Sequence, residues 1–305
     1  MTGGSGETSL AGSVPPSSRR GSVLVGTAGF SYPDWTGPVF GGRAPRGREA
    51  LALLARSLTL LEANVSYYRI PAPSTAAAWL ATTEGQPEFR FTAKLWRGFT
   101  HGPERATVAD LKAMLAFLAA LAADGRLLAA LAQFPPSFRA SARAEAYVHR
   151  LAAHVAPHPL AVEFRDASWD TDDVRAGLSE RGIAWVVADL PAGPRAITPR
   201  AVATAPLAYV RLHGRSADWG RPGAGRDQKY DYLYSPEELV PLLERIERLR
   251  EQAARTVVVA NNHYSGKAVV NALELSAALL GRRVEVPAPL LEAYPRLALV
   301  AAGYP

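Results

Sequence analysis

Three consecutive stretches decide the fold class: Leu160-Ala-Val-Glu-Phe-Arg-Asp166, Asp172-Asp-Val-Arg-Ala-Gly-Leu-Ser-Glu-Arg181 and Ala184-Trp-Val-Val-Ala-Asp-Leu190. The first and third are short apolar runs that end in charge. The second opens on acids, as a helix N-terminus prefers, and is followed by Gly182, a C-cap residue. Strand, helix, strand with so short a return is a parallel β/α unit. The same unit recurs outward in both directions. Further strand-like runs cover residues 23–30, 58–65, 89–95, 127–134, 207–214 and 256–262, and helix-like segments cover 48–57, 74–83, 105–123, 140–155, 236–252 and 266–280. Eight such units predict a single-domain α/β protein, a closed (β/α)8 TIM barrel, rather than an open doubly wound sheet.

Local signals support this parsing. Ser74 and Asp172 stand where N-caps belong, Ser235-Pro-Glu-Glu238 combines a cap with a first-turn proline and acids, and Gly125 ends another helix. The sixth unit is the weakest, because residues 191–206 hold four prolines and only a short helix-like piece around 199–204. Residues 31–47 and 215–235 form long connections after the first and seventh strands, on the face where barrel active sites lie, and are natural lids.

The chain of 305 residues is 48% hydrophobic and 20% charged, an ordinary globular balance. Cysteine is absent, which removes disulfides, thiolate metal ligands and cysteine nucleophiles. Residues 1–21, rich in Gly, Ser and Pro without an apolar core, read as a disordered tail and not a secretory signal; residues 22–280 are assigned to the barrel and 281–305 to a C-terminal extension. No apolar stretch is long enough to span a bilayer, so a cytoplasmic protein with no membrane partner is expected. The net charge is +6, but only Lys94, Lys112, Lys229 and Lys267 are lysines among 34 basic residues, and no basic block occurs. Nucleic acid is therefore the less favoured partner, and a small anionic or polyhydroxyl molecule the favoured one.

Polar residues collect where the runs end: Glu62 and Asn64, Lys94, Gln133, Glu163 and Arg165, Asp189, Arg211 and His213, Asn261 and Asn262. Such side chains inside apolar strands are costly unless paired, so their recurrence at one end predicts a shared pocket. Alternation along a strand puts Glu62 with Asn64, Glu163 with Arg165, and Arg211 with His213 on common faces. If those faces point inward, Glu62, Glu163 and Arg211 lie beneath a rim of Asn64, Arg165 and His213.

These residues fall in a series of motifs: Val25-Gly-Thr-Ala-Gly-Phe-Ser-Tyr-Pro-Asp-Trp35, Leu61-Glu-Ala-Asn-Val-Ser-Tyr-Tyr-Arg-Ile-Pro71, Phe91-Thr-Ala-Lys94, Gln133-Phe-Pro-Pro-Ser-Phe138, Val162-Glu-Phe-Arg-Asp-Ala-Ser-Trp169, Ala188-Asp189, Tyr209-Val-Arg-Leu-His-Gly214, Tyr230-Asp-Tyr-Leu-Tyr-Ser235 and Asn261-Asn262. In this order, over residues 23–280, they resemble the DUF72 (YecE-like) family. The resemblance implies a TIM barrel and supplies no reaction, the family being one of unknown function sometimes described as related to sugar isomerases. Departures are small: Ala63-Asn-Val65 stands where Ile-Asn-Ser is usual, and the tail after Leu280 runs past the shared region.

Glu163, His213 and Lys94 are the candidate catalytic groups. A carboxylate beside a guanidinium, a neutral imidazole and a scarce lysine at a strand end suit acid–base chemistry, the lysine also Schiff-base chemistry or anion binding. Their bland counterparts are an ion pair of Glu163 with Arg165, a structural histidine and a bridge from Lys94 to Glu62. Glu62, Asn64, Tyr68, Arg69, Gln133, Arg165, Asp189, Arg211, Asn261 and Asn262 are candidate substrate contacts. Trp35, Tyr67, Tyr68, Trp169 and Trp219 either stack on a ligand or pack the barrel. No cofactor is expected. A divalent metal on Glu62, Glu163, Asp189 and His213, as in a sugar-isomerase-like enzyme, is the fallback, disfavoured because three carboxylates face Lys94, Arg165 and Arg211. Two inward carboxylates also admit a glycosidase. The leading expectation is an enzyme acting on a small polar substrate, whether isomerase, lyase or hydrolase; a non-catalytic ligand-binding or nucleic-acid-associated module is the alternative. Nucleotide-binding glycine motifs are absent.

Overall fold

A computed structural model describes residues 20–303. The tail assigned to residues 1–21 falls almost wholly outside them; Gly21 is already tied to the barrel's outer layer through its N–H and the Arg250 carbonyl (2.8 Å). Eight parallel strands close in sequence order into one barrel: β1 (Ser22–Ala28), β2 (Leu60–Ala63), β3 (Arg90–Lys94), β4 (Leu127–Gln133), β5 (Leu160–Glu163), β6 (Ala184–Asp189), β7 (Leu207–Leu212) and β8 (Arg255–Ala260). The helices are α1 (Glu49–Ser57), α2 (Val65–Tyr68), α3 (Pro73–Thr82), α4 (Val108–Leu121), α5 (Ala142–Val155), α6 (Asp172–Ser179), α7 (Arg226–Tyr230), α8 (Pro236–Gln252), α9 (Lys267–Leu280) and α10 (Ala288–Ala293).

Alternation sorts the strand side chains into two cores. Ala28, Leu60, Leu131, Ala161, Val186, Tyr209, Val257 and Val259 fill the barrel, while Leu61, Phe91, Val162, Val187, Val210 and Val258 pack outward beneath the helices. β1 and β2 approach so closely that a Cβ on Gly26 would lie 1.7 Å from the Leu60 carbonyl oxygen.

Most strands stop one to three residues before the apolar runs do, so Asn64, Arg165, His213 and Asn261 stand just beyond them, on the mouth. The sixth unit differs more: no helix forms at 199–204. Its prolines break the backbone ladder, and the segment is held instead through Thr204, whose hydroxyl accepts from the Trp185 N–H (2.8 Å) and donates to the Ile183 carbonyl (2.6 Å). Two caps also move. α3 starts at Pro73 after an extended Ala72, not at Ser74, and the cap of α6 is Thr171, whose hydroxyl accepts from Val174 N–H, rather than Asp172. A proline preset for the first turn and an extended threonine each take the position first.

The C-terminal stretch folds against the mouth. Leu290 and Leu297 are fully buried, Tyr294 donates to the Ser265 carbonyl (2.8 Å), and Arg296 donates to the Tyr234 carbonyl (2.7 Å). Gly266, at φ 80°, is the N-cap of α9, and a Cβ there would meet Val39 at 2.7 Å. The extension thus buttresses the loops after β1 and β8.

Ser235 caps α8 as expected: its side chain accepts from Glu238 N–H while the Glu238 carboxylate accepts from Ser235 N–H. Ser235→Ala should lower unfolding stability by about 1 kcal/mol, read as a lower urea midpoint at unchanged slope.

Candidate functional site

The interior polar residues build upward from Tyr209. Its hydroxyl donates to Glu62 (2.8 Å) and lies 2.7 Å from the Thr92 hydroxyl. Above it, Arg211 donates from one terminal nitrogen to Glu62 and from the other to Glu163, both at 2.6 Å. Glu62 and Glu163 are completely buried and Arg211 is 1% exposed. Arg165 closes on the second Glu163 oxygen, and His213 Nε2 lies 3.3 Å from it. The Asn261 amide nitrogen lies 2.9 Å from His213 Nδ1, and terminal nitrogens of Arg165 and Arg211 lie 3.2 and 3.4 Å from its Nε2. Burial alone would raise the Glu163 carboxyl; the Arg165 and Arg211 guanidiniums outweigh it and hold the group well below the usual carboxylate range. Burial, reinforced by Arg165, pushes His213 down to about 3.

Above this network opens a cleft of about 760 Å³, lined by Asn64, Lys94, Gln133, Arg165, Arg211, Asn261 and His263, with Tyr32, Tyr67, Tyr68 and Tyr230 around them and an apolar side formed by Phe30, Val65, Ile70 and Trp79. Lys94 is 9% exposed. Its ammonium donates to Gln133 Oε1 (2.7 Å) and sits 4.0 Å from the centre of the Tyr67 ring. Burial and the nearby Arg211 push its pKa down to about 7. The bridge to Glu62 anticipated for Lys94 is not formed, because Arg211 and Tyr209 occupy that carboxylate. The Nε groups of Arg165 and Arg211 and the Oδ1 of Asn64 are buried without a hydrogen-bond partner among the described residues.

Family-level comparison agrees with this architecture. A family model described as "Protein of unknown function DUF72" matches residues 24–295. The chain belongs to the DUF72 family. The matched span of this DUF72 chain runs past Leu280, so the extension is partly shared and not peculiar to this sequence. A DUF72 protein of Thermotoga maritima, TM1631, is 34% identical, with 85% of this chain and 99% of that one covered at a TM-score of 0.76. The EF0366 protein of Enterococcus faecalis, at 24% identity, shares the fold over 85% of this chain and 95% of its own with a TM-score of 0.74. The UPF0759 protein YunF of Bacillus subtilis is 27% identical over 233 residues, 71% of this chain and 81% of its own.

Two residues grouped with the pocket by sequence stand elsewhere in the DUF72 barrel. Asp189 faces outward with Trp185 and Val187, gripped by Arg215 (2.8 and 2.9 Å) and accepting from the Tyr234 hydroxyl (2.7 Å). Asn262 donates to the Tyr232 carbonyl and to Asn271 behind the wall. The alternation that puts Ala188 and Asn261 inside puts their neighbours outside. With Asp189 outside and both glutamates engaged by Arg211, the set Glu62, Glu163, Asp189 and His213 does not fit a divalent cation, and no group of three or more such ligands comes together among the described residues. Tyr68 and Arg69 lie on the exposed rim. Trp35 and Trp169 are packing residues: Trp169 stacks on Phe164 (3.9 Å), and Trp35 donates to the His263 carbonyl (2.6 Å).

His263, which the sequence reading did not single out, is the main addition. It stacks on Tyr32 (4.2 Å, 4°) and leans on Tyr230 (4.8 Å), and burial pushes it down to about 4. The signal was its place directly after Asn261-Asn262. Tyr32 and Tyr230 come from the two long loops already marked as lids, and Arg226 arrives with Tyr230 on α7.

Glu163→Gln should lower stability by about 3 kcal/mol, because Arg165 and Arg211 lose a buried counter-charge; a melting temperature equal to the parent's would instead mark the carboxylate as held for chemistry. Acid should act in the same direction. The unfolded chain protonates histidine near pH 6.5, whereas His213 and His263 resist until about 3 and 4. The unfolded state then binds more protons, so stability should fall as pH drops below about 6.5, measurable as a declining urea midpoint.

Proposed function

We propose that this DUF72 protein is an enzyme performing acid–base chemistry on a small anionic, hydroxyl-bearing substrate, with Lys94 as the proton-transfer group and Arg165 and Arg211 as the anion holders. The observation that carries this reading is the pairing at the mouth. Arg211 and Arg165 take up the Glu62 and Glu163 charges yet keep unpartnered Nε–H groups, and the Lys94 amine has an amide rather than a carboxylate for a partner. Three cations against two carboxylates favour a ligand that brings negative charge. Asn64 Oδ1 and the Asn261 amide suit substrate hydroxyls. A bounded cleft of about 760 Å³ supports a small molecule over a nucleic-acid strand.

A lysine with a pKa near 7 holds both protonation states at neutral pH, which matches a group that takes a proton and returns it. Glu163 and His213, the other candidates, stand behind the cleft wall. Their work in this reading is to position Arg165 and Arg211: the carboxylate is tied up as a counter-ion and the imidazole stays neutral.

Sulfate, whose own charge does not change over the range, tests the anion site by calorimetry. Lys94 is charged below its pKa of about 7 and neutral above it, so sulfate should bind more tightly at low pH and lose affinity as pH rises through neutrality. Lys94→Met should cut the affinity roughly tenfold on the acid side, the equivalent of about 1.4 kcal/mol for one charge-assisted contact, and flatten the pH dependence. No sulfate binding at either pH would overturn the reading.

A further inference from the structure

The surroundings of Lys94 suit a nucleophile as well as a proton carrier. Its main chain is fixed at the end of β3, with its carbonyl 2.6 Å from the Ser66 hydroxyl and the following N–H bonded to the Leu131 carbonyl (2.8 Å). The side chain is fixed at its tip. Gln133 Nε2 donates to the Phe134 carbonyl (2.9 Å), which turns Gln133 Oε1 toward the Lys94 amine. An amide oxygen accepts from an amine and an ammonium alike, whereas a carboxylate would hold the nitrogen protonated and unreactive. Lys267 has such a carboxylate, Asp231. Among the described residues Lys94 forms no ion pair, and with one N–H committed to Gln133 its lone pair is available to the cleft it lines. The Tyr67 ring face, 4.0 Å away, favours a cation at that nitrogen, whether ammonium or iminium.

We propose that Lys94 forms an imine with an aldehyde or ketone substrate whose anionic group lies on Arg165 and Arg211. This rests on the reading of the cleft as a site for small anions and narrows its substrate to carbonyl compounds. The amine lone pair forms the N–C bond while the carbonyl π pair moves to oxygen, which takes a proton from the same nitrogen. The hydroxyl then leaves as water with the second N–H proton, and the C=N bond remains. No oxidant or reductant enters. Protonated at nitrogen, this imine withdraws electrons from the neighbouring carbon, so a proton or a carbon–carbon bond there is weakened. Isomerisation or cleavage next to a carbonyl is the reaction class that follows.

Trapping tests it on the full chain. Dihydroxyacetone phosphate and pyruvate are each incubated with the protein and sodium borohydride, which reduces an imine to a stable secondary amine, and the products are read by intact mass and peptide mapping. The expected result, with at least one probe, is a single adduct, of the probe's mass less one oxygen, on Lys94. It should form at least about tenfold faster than on Lys112, Lys229 or Lys267, as for an amine with a lowered pKa, and sulfate should slow it. Lys94→Arg, which lacks the amine, should give no adduct at this position. Equal labelling of all four lysines, or none at Lys94 with either probe, overturns the imine. If sulfate binding survives in that case, the anion site stands without it; if sulfate binding is also absent, both readings fall.

Discussion

The bridge from Glu62 through Arg211 to Glu163 is the interaction on which the mouth of the barrel depends. All three charges are removed from water, a placement tolerated only because each guanidinium terminus meets a carboxylate at 2.6 Å and the remaining oxygens are met by Tyr209, Arg165 and His213. These residues come from β2, β5 and β7 or just beyond them, so the network ties strands across the barrel as well as around it. It also fixes the electrostatics above. Because the carboxylates are consumed below, Lys94 is left with Gln133 and Tyr67, and burial beside Arg211 brings its proton affinity into the neutral range.

The cleft owes its walls to segments far apart in sequence. Trp35 holds the His263 carbonyl, Asp34 accepts from the Ser265 N–H (2.6 Å), and Tyr32 lies flat on the His263 ring. The loop after β1 and the loop after β8 are thereby one packed unit, braced from outside by Tyr294 and Leu290 of the C-terminal stretch. On the other side α7 delivers Tyr230 and Arg226. The cleft therefore combines basic side chains, an aromatic collar and an apolar side wall contributed by separate loops.

Outside the barrel, Asp189 shows how a charge at a strand end serves structure. Arg215, Tyr234 and, at 3.9 Å, Arg245 surround it, and Tyr234 accepts in turn from the Gly214 N–H (3.0 Å). The cluster pins the start of the long loop after β7, the loop that later carries α7 over the cleft. Asn262 and Asn271 do the same for the other end of that loop, through the main chain of Tyr232 and Tyr234. Polar residues at one level of the barrel thus divide between an inner set facing the cleft and an outer set holding the long loops.

What the sequence determined by itself is what periodicity and terminal chemistry encode. Eight apolar runs alternating with amphipathic segments specify a β/α barrel, since each strand needs cover and each return is too long for a hairpin. The shared faces of Glu62 with Asn64, Glu163 with Arg165, and Arg211 with His213 were legible because side chains alternate along a strand. The same alternation, applied from Ala184 and Val186, separates Asp189 from them, but only once the inward face is known. Tertiary structure alone decided who pairs with whom. Arg211, not Lys94, takes Glu62, because a strand's position around the barrel and its register set the distance across the axis, and no local pattern contains that distance. Closure likewise brings His263 against Tyr32 from opposite ends of the chain, where β1 and β8 meet.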